Sequence, residues 1–498
     1  MELQFQSTPV SYLHSLSNQT IPMEQTQEVR LADGMPDIGA ILGTWAQILL
    51  RGKQWNTGSM GVTAGAMVWV LYEPEEGGAP GVMETWVPFQ QKFDLPDTGG
   101  REGRIHCRMC IAGADARSTS ARKMIVRVNG DISAEAMLPE QAQLCTPGEV
   151  PEDVQLLQNT YPMLLPAEAG EKPFELEDQF SLPGGNPPVK RIISYQAYPS
   201  VQEKKILSDK VIFRGAVGVH LLYIAQDDTL SNWDFEVPFS QYGELDREYE
   251  PDAAVNMDVL LTSAELSMNE QGQLDVQMGL VGQYVVCQRH LVNMVEDAYS
   301  PLRDVQVRKQ QLPLPAILDM QEQRITAEAS IPAEAVRVAD TVLYCRNRKA
   351  DMGGSGDREL SGQFQTLYYD MEGKLRSGTT RWEQSWAAQA ENGTDVRLQI
   401  TPGMSQGMPA GGSIQLLGEI KATAQFTGEN GEEMVCALEM GELRQPDSNR
   451  PSVILRRAGE DSLWQIAKTT GSTVDAIRSA NALEQEPNPD RLLLIPIA

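Results

Sequence analysis

Apolar and polar residues alternate along most of the chain in short runs broken by Gly, Asn, Asp and Ser, a period of two that predicts antiparallel strands. In residues 211–221, Val211, Phe213, Val217, Val219 and Leu221 keep same-face spacing apart from one step of four, which turns one strand face toward a core. A longer pattern is laid over this alternation. Residues 62–90 and 211–240 each contain a Gly-bearing strand ending Leu-Tyr (Leu71-Tyr72; Leu222-Tyr223) and, after a turn-rich segment, a second strand ending Val-Pro-Phe (Val87-Pro88-Phe89; Val237-Pro238-Phe239). Tyr and Pro are 16 residues apart in the first copy and 15 in the second. A third copy over 360–386 keeps Leu367-Tyr368 and a Trp-containing strand but lacks Pro-Phe.

The three tyrosines are 151 and 145 residues apart, too far for a solenoid, so the repeated unit is a whole domain. Strand–turn–strand segments at 106–137, 256–288 and 395–426 continue each copy. The expected organisation is mainly β: tandem antiparallel, β-sandwich-like domains at 20–145, 189–305 and 320–445. Residues 146–188 hold eight prolines and eight acids against one lysine, which predicts an extended acidic linker.

The period changes in residues 451–498. A short strand at Val453–Leu455 precedes Asp461-Ser462, an N-cap for a helix carrying Leu463, Trp464, Ile466 and Ala467. Gly471 stops that helix. Thr473 caps a second, with Val474 and Ile477 inward, Asn481 closes it, and Leu492–Ile495 returns as a strand before Pro496. This βααβ unit closely resembles a LysM domain, on Asp461-Ser462-Leu463-Trp464, Ile466-Ala467, Val474, Ile477, Asn481 and Leu493-Leu494-Ile495-Pro496. The resemblance implies a sugar-binding groove between two loops, with candidate contacts Glu460, Asp461, Ser462 and Leu463 on one and Ala482 and Leu483 on the other. Two departures add acid there: Glu460 separates Gly459 from Asp461, and Asp490 stands where the family usually has Gly. Trp464 is assigned to the small core.

With this tail in place, the Leu-Tyr … Val-Pro-Phe pattern and Met35-Pro36-Asp37-Ile38 resemble the SPOCS repeats of endospore-forming bacteria. The combination is similar to SipL-like spore-coat morphogenetic proteins. That resemblance implies a non-enzymatic adaptor in the mother-cell cytoplasm, at the forespore surface. Its repeats would assemble with coat proteins, and its LysM tail would bind the basement-layer ATPase or another coat morphogenetic protein. The alternative is a protein that binds peptidoglycan, its precursors or N-acetylglucosamine through the tail.

Charge and chemistry narrow the classes further. The 498 residues carry 68 Asp+Glu against 41 Lys+Arg, a net charge of -27, so nucleic acid and anionic membranes are poor partners. The tail holds five basic and six acidic residues, so the excess lies upstream of it. No apolar run reaches the ~18 residues of a membrane span. The first residues lack the basic start and apolar core of a secretory signal, which predicts a cytoplasmic protein.

The six cysteines are scattered. His106-Cys107-Arg108-Met109-Cys110 has no second pair to complete a zinc site, and its strand-like pattern sends the two thiols to opposite faces. His220 occupies the position of Trp69 in the first copy and reads as a packing or surface residue. MGGSGD (352–357) and GMPAGG (407–412) read as turns, and Glu75-Glu76 and Asp227-Asp228 as solvated loop charges. No nucleophile elbow or phosphate loop occurs, so no catalytic residue, metal or cofactor is expected.

Overall fold

The computed structural model describes residues 2–311, 317–346, 358–388, 394–428, 433–445 and 450–497. After a short strand β1 (Glu2–Gln4), the first set of strands is β2 (Gln6–Arg30), β3 (Ile38–Asn56), β4 (Ser59–Pro74), β5 (Gly81–Asp94), β6 (Arg104–Ser120) and β7 (Lys123–Thr146). They form two antiparallel sheets, ordered β3-β4-β5 and β2-β7-β6. The second set repeats this with β8 (Gln155–Ser181), β9 (Val189–Leu207), β10 (Lys210–Ala225), β11 (Leu230–Glu244), β12 (Ala254–Met268) and β13 (Gln273–Tyr299), ordered β9-β10-β11 and β12-β13-β8.

In the third set the counterparts of the first and last strands are each described in two pieces. It comprises β14 (Arg303–Gln311), β15 (Ile317–Pro332), β16 (Ala335–Arg346), β17 (Arg358–Asp370), β18 (Leu375–Trp386), β19 (Thr394–Ala410), β20 (Ser413–Gly428) and β21 (Glu433–Leu443). The sheets are β16-β17-β18 and β15-β20-β19, the latter joined to β8 of the second set at Ile317–Leu164 so that the order runs β12-β13-β8-β15-β20-β19, and β14–β21 form a further pairing. β1 adds to the free side of β21. The chain ends in β22 (Val453–Arg457), α1 (Leu463–Thr470), α2 (Val474–Asn481) and β23 (Leu492–Pro496). Neither helix is long and apolar enough to cross a membrane.

The expected 146–188 linker is mostly strand: β8 runs for 27 residues and pairs with all of β13. Proline misled the reading. Pro162, Pro166 and Pro173 face β13 at Leu291, Cys287 and Val281, and a proline on a strand with few other partners costs little of the ladder. The acids alternate with Leu165, Phe174 and Leu176, which turn inward. Strand β2 begins at Gln6 and β14 at Arg303, ahead of the expected starts at 20 and 320.

The repeated motif has a local explanation. Val87 and Phe89 point into the core, whereas Pro88 lies on the edge strand β5, where its missing N–H breaks no second ladder. Tyr72 donates its hydroxyl proton to Pro36 O at 3.0 Å, and Tyr223 donates to Pro187 O at 3.1 Å. Pro332 stands at the same 36-residue offset from Tyr368. Gly81 lies under the Tyr72 ring, 2.2 Å from where a Cβ would sit, so only glycine fits there. We expect Tyr223→Phe to lower stability by about 1 kcal/mol, read as a lower urea midpoint, because it removes one part-buried hydrogen bond and keeps the ring.

Two features join the sets. The far ends of β2–β7 and β8–β13 converge with β14–β21, with Tyr12, Leu144, Met163, Leu165, Met294 and Met434 in one cluster. The sheets also meet in cyclic order: β3 lies against β12, β10 against β19 and β16 against β6. The main core accordingly runs through all three, from Trp45 through Val217 to Val342 and Leu367.

Cys107 and Cys110 sit three residues apart on β6 and so face opposite sides; both are buried and neither is in a disulfide. Gly411 and Gly412 form the β19–β20 turn with positive φ, whereas Gly407 lies inside β19. Glu75-Glu76 and Asp227-Asp228 lie in the β4–β5 and β10–β11 turns. The 352–357 glycine stretch lies outside the described residues.

Candidate functional site

The tail is built as its pattern predicts. Ser462 accepts from the Gln465 N–H while the Gln465 side chain accepts from the Ser462 N–H, a complete capping box on α1. Gly471 ends the helix in the left-handed region (φ 72°), and Thr473 caps α2. The inner faces supply Leu463, Ile466, Ala467 and Ile477, with Leu493 and Ile495 from β23. Asn481 stitches α2 to β23 by donating to Leu494 O and accepting from Leu494 N–H.

The two candidate loops lie side by side. Ala458 N–H donates to Arg491 O at 2.9 Å and Gly459 N–H to Pro489 O at 2.8 Å. Glu460, Asp461 and Ser462 are exposed, with Asp461 ion-paired to Arg456. Ala482 is exposed in the left-handed region (φ 49°) and Leu483 is half-buried against the small core. Leu463 differs from expectation: its side chain is fully buried, so only its backbone reaches the loops, where its N–H donates to Glu486 at 3.0 Å. The sequence reading missed Glu486, an exposed acid that ties the second loop to the first through the Leu463 N–H.

Trp464 is not a residue of the tail's own centre. It is half-buried and faces the end of β13, where its Nε1–H donates to Asp297 at 2.9 Å. Lys468, one turn on, donates to both Asp297 oxygens at 2.7 and 2.8 Å. Burial works against the Asp297 carboxylate, but Lys468 and Trp464 outweigh it and hold its pKa below the usual range. Tyr299 completes the contact. Its ring stands edge-on to Trp464 with centroids 4.7 Å apart, its hydroxyl donates to Ser472 O at 3.0 Å, and it belongs to the tail's hydrophobic cluster. Burial pushes its phenol up to about 12. The tail follows the third set in sequence yet docks on the second.

A second polar constellation lies where the sets meet. Arg108, Asp258 and Gln399 each stand three residues before the β-bulge of β6, β12 and β19, so they occupy equivalent positions. They converge: Arg108 Nε donates to Asp258 at 2.7 Å and Gln399 Nε2 at 2.9 Å. His106 Nε2 lies 2.7 Å from the same carboxylate. Burial and Arg108 lower the His106 pKa. For Asp258, burial raises the pKa, but Arg108 and the His106 contact override it and hold it far down.

Nearby, buried Asp340 of β16 accepts from Trp45 Nε1 of β3 at 2.9 Å and from His220 Nε2 of β10 at 2.5 Å. His220 does occupy the strand position equivalent to Trp69, opposite Asp234 as Trp69 is opposite Glu84, but it is an ionic tie rather than a packing or surface residue. Among the described residues, no group of three or more His, Cys, Asp or Glu side chains is placed to hold a metal.

Residues 188–269, which span β9 to β12, match the family model described as SipL, SPOCS domain. No curated protein and no solved structure matches the chain.

Proposed function

We propose that this chain is a non-enzymatic adaptor of spore-coat morphogenesis, in which the strand sets assemble with coat proteins and the tail recruits the complex to the forespore surface. The match of the second set to the SPOCS domain carries this reading, since it points to a SipL-like, sporulation-related protein. On this reading each six-strand set is a sandwich-like SPOCS domain, residues 451–498 are a LysM domain, and the whole acts in the mother-cell cytoplasm. Linked modules suit such a role, because binding by one raises the effective concentration of the next. The partner of the tail is a coat morphogenetic protein such as the basement-layer ATPase. The exposed acids Glu460, Asp461 and Glu486 of the two loops and the burial of Leu463 favour a protein surface over an uncharged sugar.

Deleting 451–498 is expected to leave the strand sets folded and the protein dispersed in the mother cell, whereas the full chain gathers at the forespore. Normal localisation of the truncated chain in sporulating cells would overturn the role given to the tail. Titrating the full chain with peptidoglycan and chitin oligomers separates the alternative: micromolar binding that weakens on Ser462→Ala or Glu460→Lys would favour glycan.

A further inference from the structure

The six cysteines divide by exposure. Cys107, Cys110, Cys287 and Cys345 are buried, whereas Cys145 and Cys436 are only partly so. Burial pushes the Cys107 thiol up to about 11 and the Cys287 thiol up to about 12, which keeps them protonated and unreactive. The two accessible cysteines belong to different sets, Cys145 near the end of β7 and Cys436 in the first half of β21.

The N-terminus brings them together. β1 pairs with β21, Gln4 opposite Ala437, and the next residue, Phe5, donates its N–H to Cys436 O at 3.0 Å. The chain then crosses to the first set, where Gln6 pairs with Thr146 and Ser7 with Cys145. The cysteines therefore stand on either side of the Phe5–Ser7 crossing.

Side-chain contacts fix the approach. Cys145 N–H donates to Met434 Sδ at 3.5 Å, and the Cys145 side chain packs against a cluster holding Phe5, Val435 and Leu438. Cys436 Sγ lies 3.3 Å from Arg308 O. The Cys436 thiol is also within hydrogen-bonding reach of the Cys145 thiol, and it adds to burial in raising the Cys145 pKa.

We propose that Cys145 and Cys436 are a redox-responsive pair whose disulfide latches the first strand set to the third. A small-molecule disulfide such as glutathione disulfide is the oxidant. One cysteine thiolate attacks a sulfur of glutathione disulfide, breaking its S–S bond and releasing one glutathione thiolate. The other cysteine thiolate attacks the protein-side sulfur of the mixed disulfide and releases the second glutathione. The two thiol protons pass to the departing glutathiones, and one protein S–S bond replaces the one consumed. In a reducing compartment the reverse exchange keeps the pair as thiols. The chain runs from the first set to the third only through the second, so this bond supplies a direct covalent link between them. It closes a long loop, which is the case in which a cross-link stabilises most. The pair is remote from the tail in the fold's topology and independent of the adaptor reading.

The full chain, equilibrated in glutathione buffers of rising disulfide fraction, is alkylated and digested without reduction. One cross-linked peptide pair carrying Cys145 and Cys436 is expected, with two thiols lost per chain and a urea midpoint above that of the reduced chain. Cys145→Ser and Cys436→Ser should each abolish the cross-link and the gain in midpoint. Both should keep the circular dichroism of the reduced wild type; if either fails to fold, the peptide map of the wild type still decides. Glutathione adducts without a cross-link, or a disulfide between two chains, would overturn the pairing. So would a bond between the buried Cys110 and Cys345, which also lie near each other. A midpoint that does not rise on oxidation would overturn the latch.

Discussion

Asp340→Ala is expected to destabilise the full chain by about 3–5 kcal/mol, the range for removing one partner of a buried charged pair. Asp340 is 1% exposed and joins all three sets: it sits on β16, accepts from Trp45 of the first, and faces His220 of the second. Removing the carboxylate leaves a buried indole N–H without its acceptor and a buried imidazole with only Asp234, which is half exposed. Asp340→Asn keeps an acceptor for Trp45 and should recover part of the loss. Denaturant unfolding of the three proteins measures this. A midpoint unchanged in Asp340→Ala would show that the sets hold together without this tie.

The same tie sets a pH dependence. Both ring nitrogens of His220 face carboxylate oxygens at 2.5 Å, so both donate and the ring is charged. Burial disfavours that charge, but Asp340 and Asp234 outweigh it and raise the His220 pKa to about 10. A raised folded pKa gives stability that is complete below the unfolded value of about 6.5 and is lost as pH rises through the folded one. The stability difference between the wild-type chain and His220→Gln should therefore be largest near pH 6 and shrink toward pH 10. A difference that stays flat over that window would mean the imidazole is neutral in the fold.

Such ties explain what the sequence made legible and what it did not. The alternation in β4 and β10 exposed the strands, because a period of two survives wherever one face meets a core. The Leu-Tyr motif was visible as a repeat, but its cause was not, since the tyrosine hydroxyl bonds to a proline carbonyl 36 residues away. The third set looked weak because Trp382-Glu383-Gln384 replaces Val-Pro-Phe; the edge strand needs only inward bulk, and Trp382 supplies it. The 146–188 segment was misread because local composition argued for linker while its partner, β13, lay about a hundred residues on. Arg108, Asp258 and Gln399 are ordinary strand residues in sequence, and only the cyclic packing of the sets makes them a cluster. Ser462, Gly471 and Thr473 were readable because caps act within a few residues. Trp464 was placed correctly on its helix, but nothing local reveals that it faces β13.

That last contact supports the other large effect. Tyr299→Ala is expected to cost about 3–5 kcal/mol locally, as for a buried aromatic cut to alanine, and to fall on the tail rather than on the strand sets. A module below fifty residues has few core positions. Here one of them is supplied from outside, because Tyr299 of β13 packs with Leu463, Ile466 and Ile477 and binds Ser472 O. Loss of the ring removes that wall and separates Trp464 from its edge-on partner, leaving the Asp297 contacts to tie α1 to β13. Hydrogen exchange on the full chain should show protection falling by a hundredfold or more across 463–470, with β4 and β10 unchanged. Tyr299→Phe keeps the wall, loses one hydrogen bond, and should cost about 1 kcal/mol. Unchanged protection in Tyr299→Ala would mean that the tail folds independently of β13. On the adaptor reading proposed above, recruitment to the forespore that falls together with protection, although every residue of 451–498 is intact, would mean that the tail is presented in a fixed orientation; retained recruitment would show that it acts as a tethered module.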